Sequence, residues 1–281
     1  MNLLWGIMNT PLVSVVITTF NRLYLLERAL SSLENQTFSD FEVIISDDCS
    51  DVDVKSFIKK YREHSSLSII YRCNSQNRGA CYTRNEGIKI ARGKFIAGLD
   101  DDDEFTANRL EVLLSIYKPE YSFVTSNTLV IAKNRKHKLF RRDRVINFND
   151  LMWGNIVGTQ VLVERKRILA LGGFDTNLTS AQDADMWIRL VKKFGCALRV
   201  KESLYVLHTE HEEGRISTSE NKVNGLINAF TKHSESMSDS QRRYHEYKIF
   251  LYKNNRKINF STLKLSSIQF LPYLIYKKMF I

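Results

Sequence analysis

Asp100, Asp101, Asp102 and Asp103 stand in one unbroken run, directly after the strand-like stretch from Lys94 to Leu99. Carboxylates this dense repel one another, and a buried, unpaired one is costly. An apolar strand that empties into four of them asks for a cation. On an extended backbone, alternate residues such as Asp100 and Asp102 point the same way. An all-oxygen donor set suits a hard ion, Mg2+ or Mn2+, which keeps waters and shares phosphate oxygens of a substrate. The plainer alternative is a solvated acidic turn. Two further acidic pairs stand out. Asp47-Asp48 closes the run from Phe41 to Ser46, and Gln182-Asp183-Ala184-Asp185 opens a helix-like segment. The four cysteines, Cys49, Cys73, Cys81 and Cys196, have no metal-ligand spacing and read as free thiols of a reducing compartment.

These acids need a frame, and the first half of the chain supplies one. Leu12–Thr18 and Phe41–Ser46 are strand-like, and Leu67–Tyr71 is a third such run. Between them, Leu26, Leu30 and Leu33 share one helical face after Asn21, a candidate cap. A second helix runs through Phe57, Ile58 and Tyr61, and Asn77-Arg78-Gly79 turns into a third carrying Ile88 and Ala91. This βαβαβαβ order predicts an α/β fold, with a mainly parallel, Rossmann-like sheet flanked by helices. Ligands then bind at the carboxyl ends of the strands. The three polar ends there are Thr18-Thr19, Asp47-Asp48 and the aspartate run. Further on, Arg135–Arg144 reads as a basic loop, Leu171–Asp175 as a turn, and Leu204–Leu207 as a strand before His208 and His211. Met186, Leu190 and Val191 form one face of the helix that Gln182 opens.

Charge divides the 281 residues unevenly. Residues 241–281 hold nine Lys/Arg against Glu246 alone, whereas the first 240 hold 32 basic and 30 acidic residues. A nearly neutral body argues against a nucleic-acid enzyme. A basic, aromatic, helical tail from 241 to 281 suits an anionic membrane surface. The alternative is a helical cap that packs on the body. The uncharged start of the chain lacks a basic leader region, and Thr10-Pro11 interrupts it. The longest uncharged run of the tail, Leu265–Tyr276, contains Pro272 and is too short to span a bilayer. A cytoplasmic protein, peripheral at the inner face of the membrane, is the expectation.

Four stretches together resemble the family-2 inverting glycosyltransferases of GT-A fold. They are VSVVITTFNR (13–22), QTFSDFEVIISDDCSD (36–51), NRGACYTRNEGIKIARGKFIAGLDDDDEF (77–105) and LGGFDTNLTSAQDADMWIRL (171–190). The resemblance covers the first 190 residues, and the chain past about residue 215 lies outside it. The charge shift alone sets the end of the domain at 240, with a nucleotide-binding half (1–105) and an acceptor half (106–240). The resemblance implies a nucleotide-sugar donor, a UDP-sugar by preference, and a saccharide acceptor; a tail that meets a membrane would suit a lipid-linked one. Thr18, Asp48 and Asp47 would surround the base and ribose, one aspartate capping and one binding. Asp102 would hold Mn2+ or Mg2+, with Asp100 or Asp101 toward the ribose. Asp183 would be the catalytic base, with Asp185 the near alternative, and Gln182 stands where the family often has glutamate. Arg84 would approach the diphosphate, and His208 or His211 would join the metal. A glycine-free TTFNR loop argues against a sugar-phosphate nucleotidyltransferase. The intact Asp183 argues against a non-catalytic binding module.

Overall fold

A computed structural model describes residues 10–133, 135–210 and 219–253. Its first half follows the pattern of β-branched runs and amphipathic helices. β1 (Val13–Thr19), α1 (Leu23–Glu34), β2 (Phe41–Asp47), α2 (Val54–His64), β3 (Ile69–Cys73), α3 (Ala80–Ile90) and β4 (Phe95–Asp100) alternate along the chain. The four strands lie parallel in the order β3-β2-β1-β4, with Ile17 beside Ile45 on one side and Leu99 on the other. Both faces of these strands are covered, so odd and even positions both carry apolar residues. Val15, Ile17, Val43 and Ile45 join Leu26 and Leu30 of α1 in one core layer. Val16, Ile44 and Ile96 join Ile88 of α3 and Trp187 in the other.

The second half adds β5 (Glu104–Phe105), α4 (Arg109–Ile116), β6 (Val124–Ala132), β7 (Arg135–Lys138), β8 (Arg144–Ile146) and α5 (Phe148–Leu151). Then follow β9 (Leu162–Glu164), α6 (Arg165–Leu169), α7 (Gln182–Phe194), β10 (Ala197–His208), α8 (Ser219–His233) and α9 (Asp239–Lys253). Short β9 runs antiparallel to both β4 and β6, and β10 runs parallel to β6. The carboxyl ends of β1, β4, β6 and β10 therefore face the same side of the ten-stranded sheet. Met186, Leu190 and Val191 are buried on one face of α7, as their spacing predicts.

Several expectations change. Asn21 does not cap α1; it takes φ 57°, and its side-chain amide donates to Asp51 at 3.0 Å while Arg22 stands at the cap. Arg135–Arg144 is not a loop throughout, since β7 pairs with β6 and β8 pairs with β10. The charge shift at residue 240 falls inside α9. Residues 241–245 pack on the body: Gln241 donates to the Asn149 carbonyl at 3.1 Å, His245 Nε2 meets the Met152 carbonyl at 2.8 Å, and the Tyr244 ring lies 5.8 Å from Trp153. The start of the basic segment is thus a helical cap. Residues 254–281 lie outside the described residues. Among the described residues, no helix is long and apolar enough to cross a membrane.

Candidate active site

Strand ends and helix starts converge on one cleft of about 790 Å³. Thr18, Asp48, Arg84, Asp100, Asp101, Asp102 and Asp183 all line it, although they come from positions up to 165 residues apart. Asp47 and His208 do not line it, and His211 lies outside the described residues. Three non-glycine residues with positive φ, Asn21, Cys49 and Ala181, occupy the loops around this cleft, with φ of 57°, 65° and 60°. Such conformations are strained and gather where a fold must aim side chains. Ala181 stands immediately before α7, so the strained turn delivers Asp183 in the first helical turn.

The aspartate run is a turn rather than a continued strand. Asp103 N–H donates to the Asp100 carbonyl at 3.1 Å, so Asp100 and Asp102 do not alternate along an extended backbone. The four side chains have separate partners, and arginines supply much of the positive charge. Asp100 pairs with Arg84 at 3.0 Å and accepts from Gln160 Nε2 at 2.8 Å. Arg22 spans Asp101 at 3.0 Å and Asp102 at 3.3 Å. Arg28 donates to the Asp102 carbonyl. Asp103 points inward, where it accepts from the Tyr205 hydroxyl at 2.8 Å and from the His208 N–H at 2.9 Å. Burial and neighbouring carboxylates hold Asp100 and Asp103 above the ordinary range, and burial pushes Asp101 up to about 7.

Asp183 faces this cluster from the other wall of the cleft. Burial raises its carboxyl to about 6; the charge of Asp100 adds to the rise, and Arg84 opposes it. Asn155 Nδ2 donates to its Oδ2 at 2.8 Å and fixes the side chain. The helix N-terminus favours the ionised form at this position. A carboxylate so held, half-buried and poised between acid and base, is apt for accepting a proton near neutral pH. Asp185 is different in kind. It is 0% exposed, and its oxygens contact Arg189 at 2.8 Å, Lys232 at 2.8 Å and His233 at 2.9 Å. Burial alone would raise its carboxyl, but these partners win and hold it at about 2. It ties α7 to α8.

The other acids divide their work. Asp47 is buried and closes its own loop, accepting from Ser50 N–H at 3.1 Å and from the Tyr71 hydroxyl at 2.8 Å. Asp48 accepts from the N–H groups of Arg78 at 2.8 Å and Gly79 at 2.7 Å, and from Asn74 Nδ2 at 2.6 Å. It therefore secures the loop ahead of α3 rather than capping the segment that follows it, yet still borders the cleft. His208 turns its Nε2 to Glu104, 2.5 Å away. Among the described residues, no group of three His, Cys, Asp or Glu side chains is gathered as a metal cage.

Two contributors escaped the sequence reading: Asn155 and Gln160. Gln160 reaches Asp100 by crossing β4 at Gly98, where a Cβ would fall 1.9 Å from Gln160 Oε1. Its own carbonyl is held by Thr125 at 2.9 Å and by buried Arg109 at 3.1 Å. Gly98 within an apolar strand was the available signal, since glycine there marks a close approach. Arg84 is steadied similarly: its guanidinium lies 5.1 Å from the Phe174 ring centre, and Asn85 brackets the Phe174 backbone at 2.7 and 2.8 Å.

The sequence profile of Glycosyl transferase family 2 matches residues 14–169. The chain belongs to this family. It is a glycosyltransferase. It is 32% identical over 271 residues to WcaA of Escherichia coli K12, which carries the provisional description of a colanic acid biosynthesis glycosyl transferase; 93% of this chain and 95% of that protein are covered. It is 30% identical over 188 residues to the GalNAc(5)-diNAcBac-PP-undecaprenol beta-1,3-glucosyltransferase of Campylobacter jejuni, covering 65% of this chain and 60% of that protein. In fold it resembles residues 1–349 of TarS of S. aureus, solved in complex with UDP-GlcNAc, with a TM-score of 0.65 at 18% identity over 94% of this chain and 79% of that one. The mainly parallel, helix-flanked sheet is thus of the GT-A type expected.

Proposed function

We propose that this glycosyltransferase moves a sugar from a nucleoside-diphosphate sugar, a UDP-sugar by preference, to a hydroxyl of a lipid-linked saccharide, with inversion at the anomeric carbon. One observation carries the reading: a proton-accepting carboxylate, Asp183, shares a cleft with the acid-and-arginine cluster at the end of β4. The UDP-sugar complex of TarS and the undecaprenyl diphosphate in the name of the Campylobacter relative support the donor and acceptor classes.

The acceptor hydroxyl attacks the anomeric carbon from the face opposite the diphosphate. Asp183 takes its proton, the new C–O bond forms, and the bond to the diphosphate oxygen breaks with its electron pair leaving on the nucleotide. Asn155 holds the base in place. Asp48 and Thr18 border the end of the cleft suited to base and ribose, and one lone-pair site remains on Asp48 Oδ2 for a donor such as a ring N–H. Arg84 can exchange Asp100 for a phosphate oxygen without losing its seat on Phe174.

The donor set fits a hard divalent cation, Mn2+ or Mg2+. Asp102 presents a half-buried carboxylate to the cleft beside Asp100, both all-oxygen donors, and such ions complete their shells with water and phosphate oxygens. Bound there, the ion would neutralise charge developing on the leaving diphosphate. The test is nucleotide release from a panel of nucleotide sugars with manganese, alongside thermal protection by each. Turnover or protection by one or more donors is expected. If no nucleotide sugar is hydrolysed, transferred or bound, the reading fails.

A further inference from the structure

The body of this protein is close to neutral, but its charge is not evenly spread. Residues 133–144 contain seven Lys/Arg and a single acid, Asp143. The four residues of β7, Arg135, Lys136, His137 and Lys138, are all exposed, and so are Arg141 and Arg142 beyond them. A strand exposed on both faces buries no core residue, so packing does not dictate its composition. The stretch is nonetheless anchored. Phe140 is buried beneath the Arg199 guanidinium, 3.6 Å from its ring centre, and Asn127 brackets the Phe140 backbone at 2.7 and 2.9 Å. Asp143 is engaged by the Lys201 N–H at 2.6 Å.

The position matters as much as the charge. Lys136 pairs across the hairpin with Ile131, and Ile131 pairs on its other side with His208. His208 N–H in turn donates to Asp103 of the aspartate turn. At about 4.8 Å per strand, the β7 backbone lies on the order of 10 Å from His208, on the rim of the sheet end that carries the cleft.

We infer that the β6–β7 hairpin docks this enzyme on an anionic phospholipid surface and so presents the cleft to a membrane-borne acceptor. Exposed cations on a rigid base complement anionic headgroups, and such contacts need no deep insertion. The biological purpose rests on the lipid-linked acceptor proposed above, but the docking itself does not.

The test uses the full chain and its variant carrying Arg135→Gln, Lys136→Gln and Lys138→Gln. Co-sedimentation is measured with phosphatidylcholine vesicles containing or lacking phosphatidylglycerol, at low and high salt. Wild type is expected on the anionic vesicles only, released by salt. Each basic residue near such a surface is worth about fivefold, so the variant should bind ~100-fold more weakly. Thermal protection by UDP with manganese, equal in both proteins, shows that the variant is folded and its cleft intact. Three results overturn the inference: equal binding by the variant, equal binding to neutral vesicles, or capture of a soluble oligonucleotide or polyphosphate with no vesicle binding at low salt. Vesicle binding lost in the variant while no nucleotide sugar is turned over leaves the docking standing and removes the proposed reaction.

Discussion

Replacing Asp185 with asparagine should cost stability and leave the chemistry alone. The side chain is 0% exposed and faces Arg189, Lys232 and His233 at 2.8 to 2.9 Å. Removing one partner of a buried ionic cluster strands the others, at ~3–5 kcal/mol. The lowered acidity gives a second figure. A carboxyl held at about 2 instead of its ordinary 3.8 stabilises the fold at neutral pH by about 2 kcal/mol. That contribution is present above pH 3.8 and is lost as pH falls through 2. The loss in Asp185→Asn should therefore be ~2–5 kcal/mol, or roughly 5–15 °C in Tm for a chain of this size. The assay is thermal unfolding at pH 7 and again toward pH 3, where the gap to wild type should narrow. Donor turnover, measured well below the variant's Tm, should stay close to wild type. An unchanged Tm with a ~10²-fold loss of turnover would refute the reasoning and move the base from Asp183 to Asp185.

Three further outcomes are expected. The free-enzyme pH profile of kcat/KM should fall about tenfold per unit below pH ~6, because burial raises the Asp183 carboxyl to about 6 and only its ionised form accepts a proton; a profile flat from pH 5 to 8 would count against it. Asp102→Ala should remove nearly all activity and the response to manganese, yet shift stability by no more than ~1 kcal/mol, since its pair with Arg22 is partly exposed; full turnover in EDTA would contradict this. Gly98→Ala should displace the flexible Gln160 side chain from Asp100, leaving the protein folded with kinetics like those of Gln160→Ala; wild-type kinetics in both would show that the contact is not used.

The parallel half of the fold was legible because its signals are local. β-branched runs bounded by polar turns located β1 and β2, an apolar run ending in the aspartates located β4, and helical periodicity located the layers over them. The acids of the cleft were legible too, as strand-end and helix-start residues. What was not legible depends on contacts made across the chain. The partners of Asp183 and Asp100, Asn155 and Gln160, lie 28 and 60 residues away. Asp183 and Asp185 look alike in sequence; Lys232 and His233 of α8, with Arg189, hold the second, and Asn155 holds the first. The aspartate run was read as a site short of cations; Arg22, Arg28 and Arg84 reach it from other elements. The basic stretch after β6 gives no strand signal, because a strand exposed on both faces carries no alternating pattern.

The most direct test of the account is the turnover of Asp183→Asn at saturating donor, with donor affinity and Tm measured on the same preparation. General-base loss predicts a fall in kcat of ~10²–10⁴-fold, with nucleotide-sugar affinity and Tm close to wild type. A kcat within about tenfold of wild type, or a loss matched by an equal loss of donor binding, would contradict the assignment of Asp183 as the group that takes the acceptor's proton.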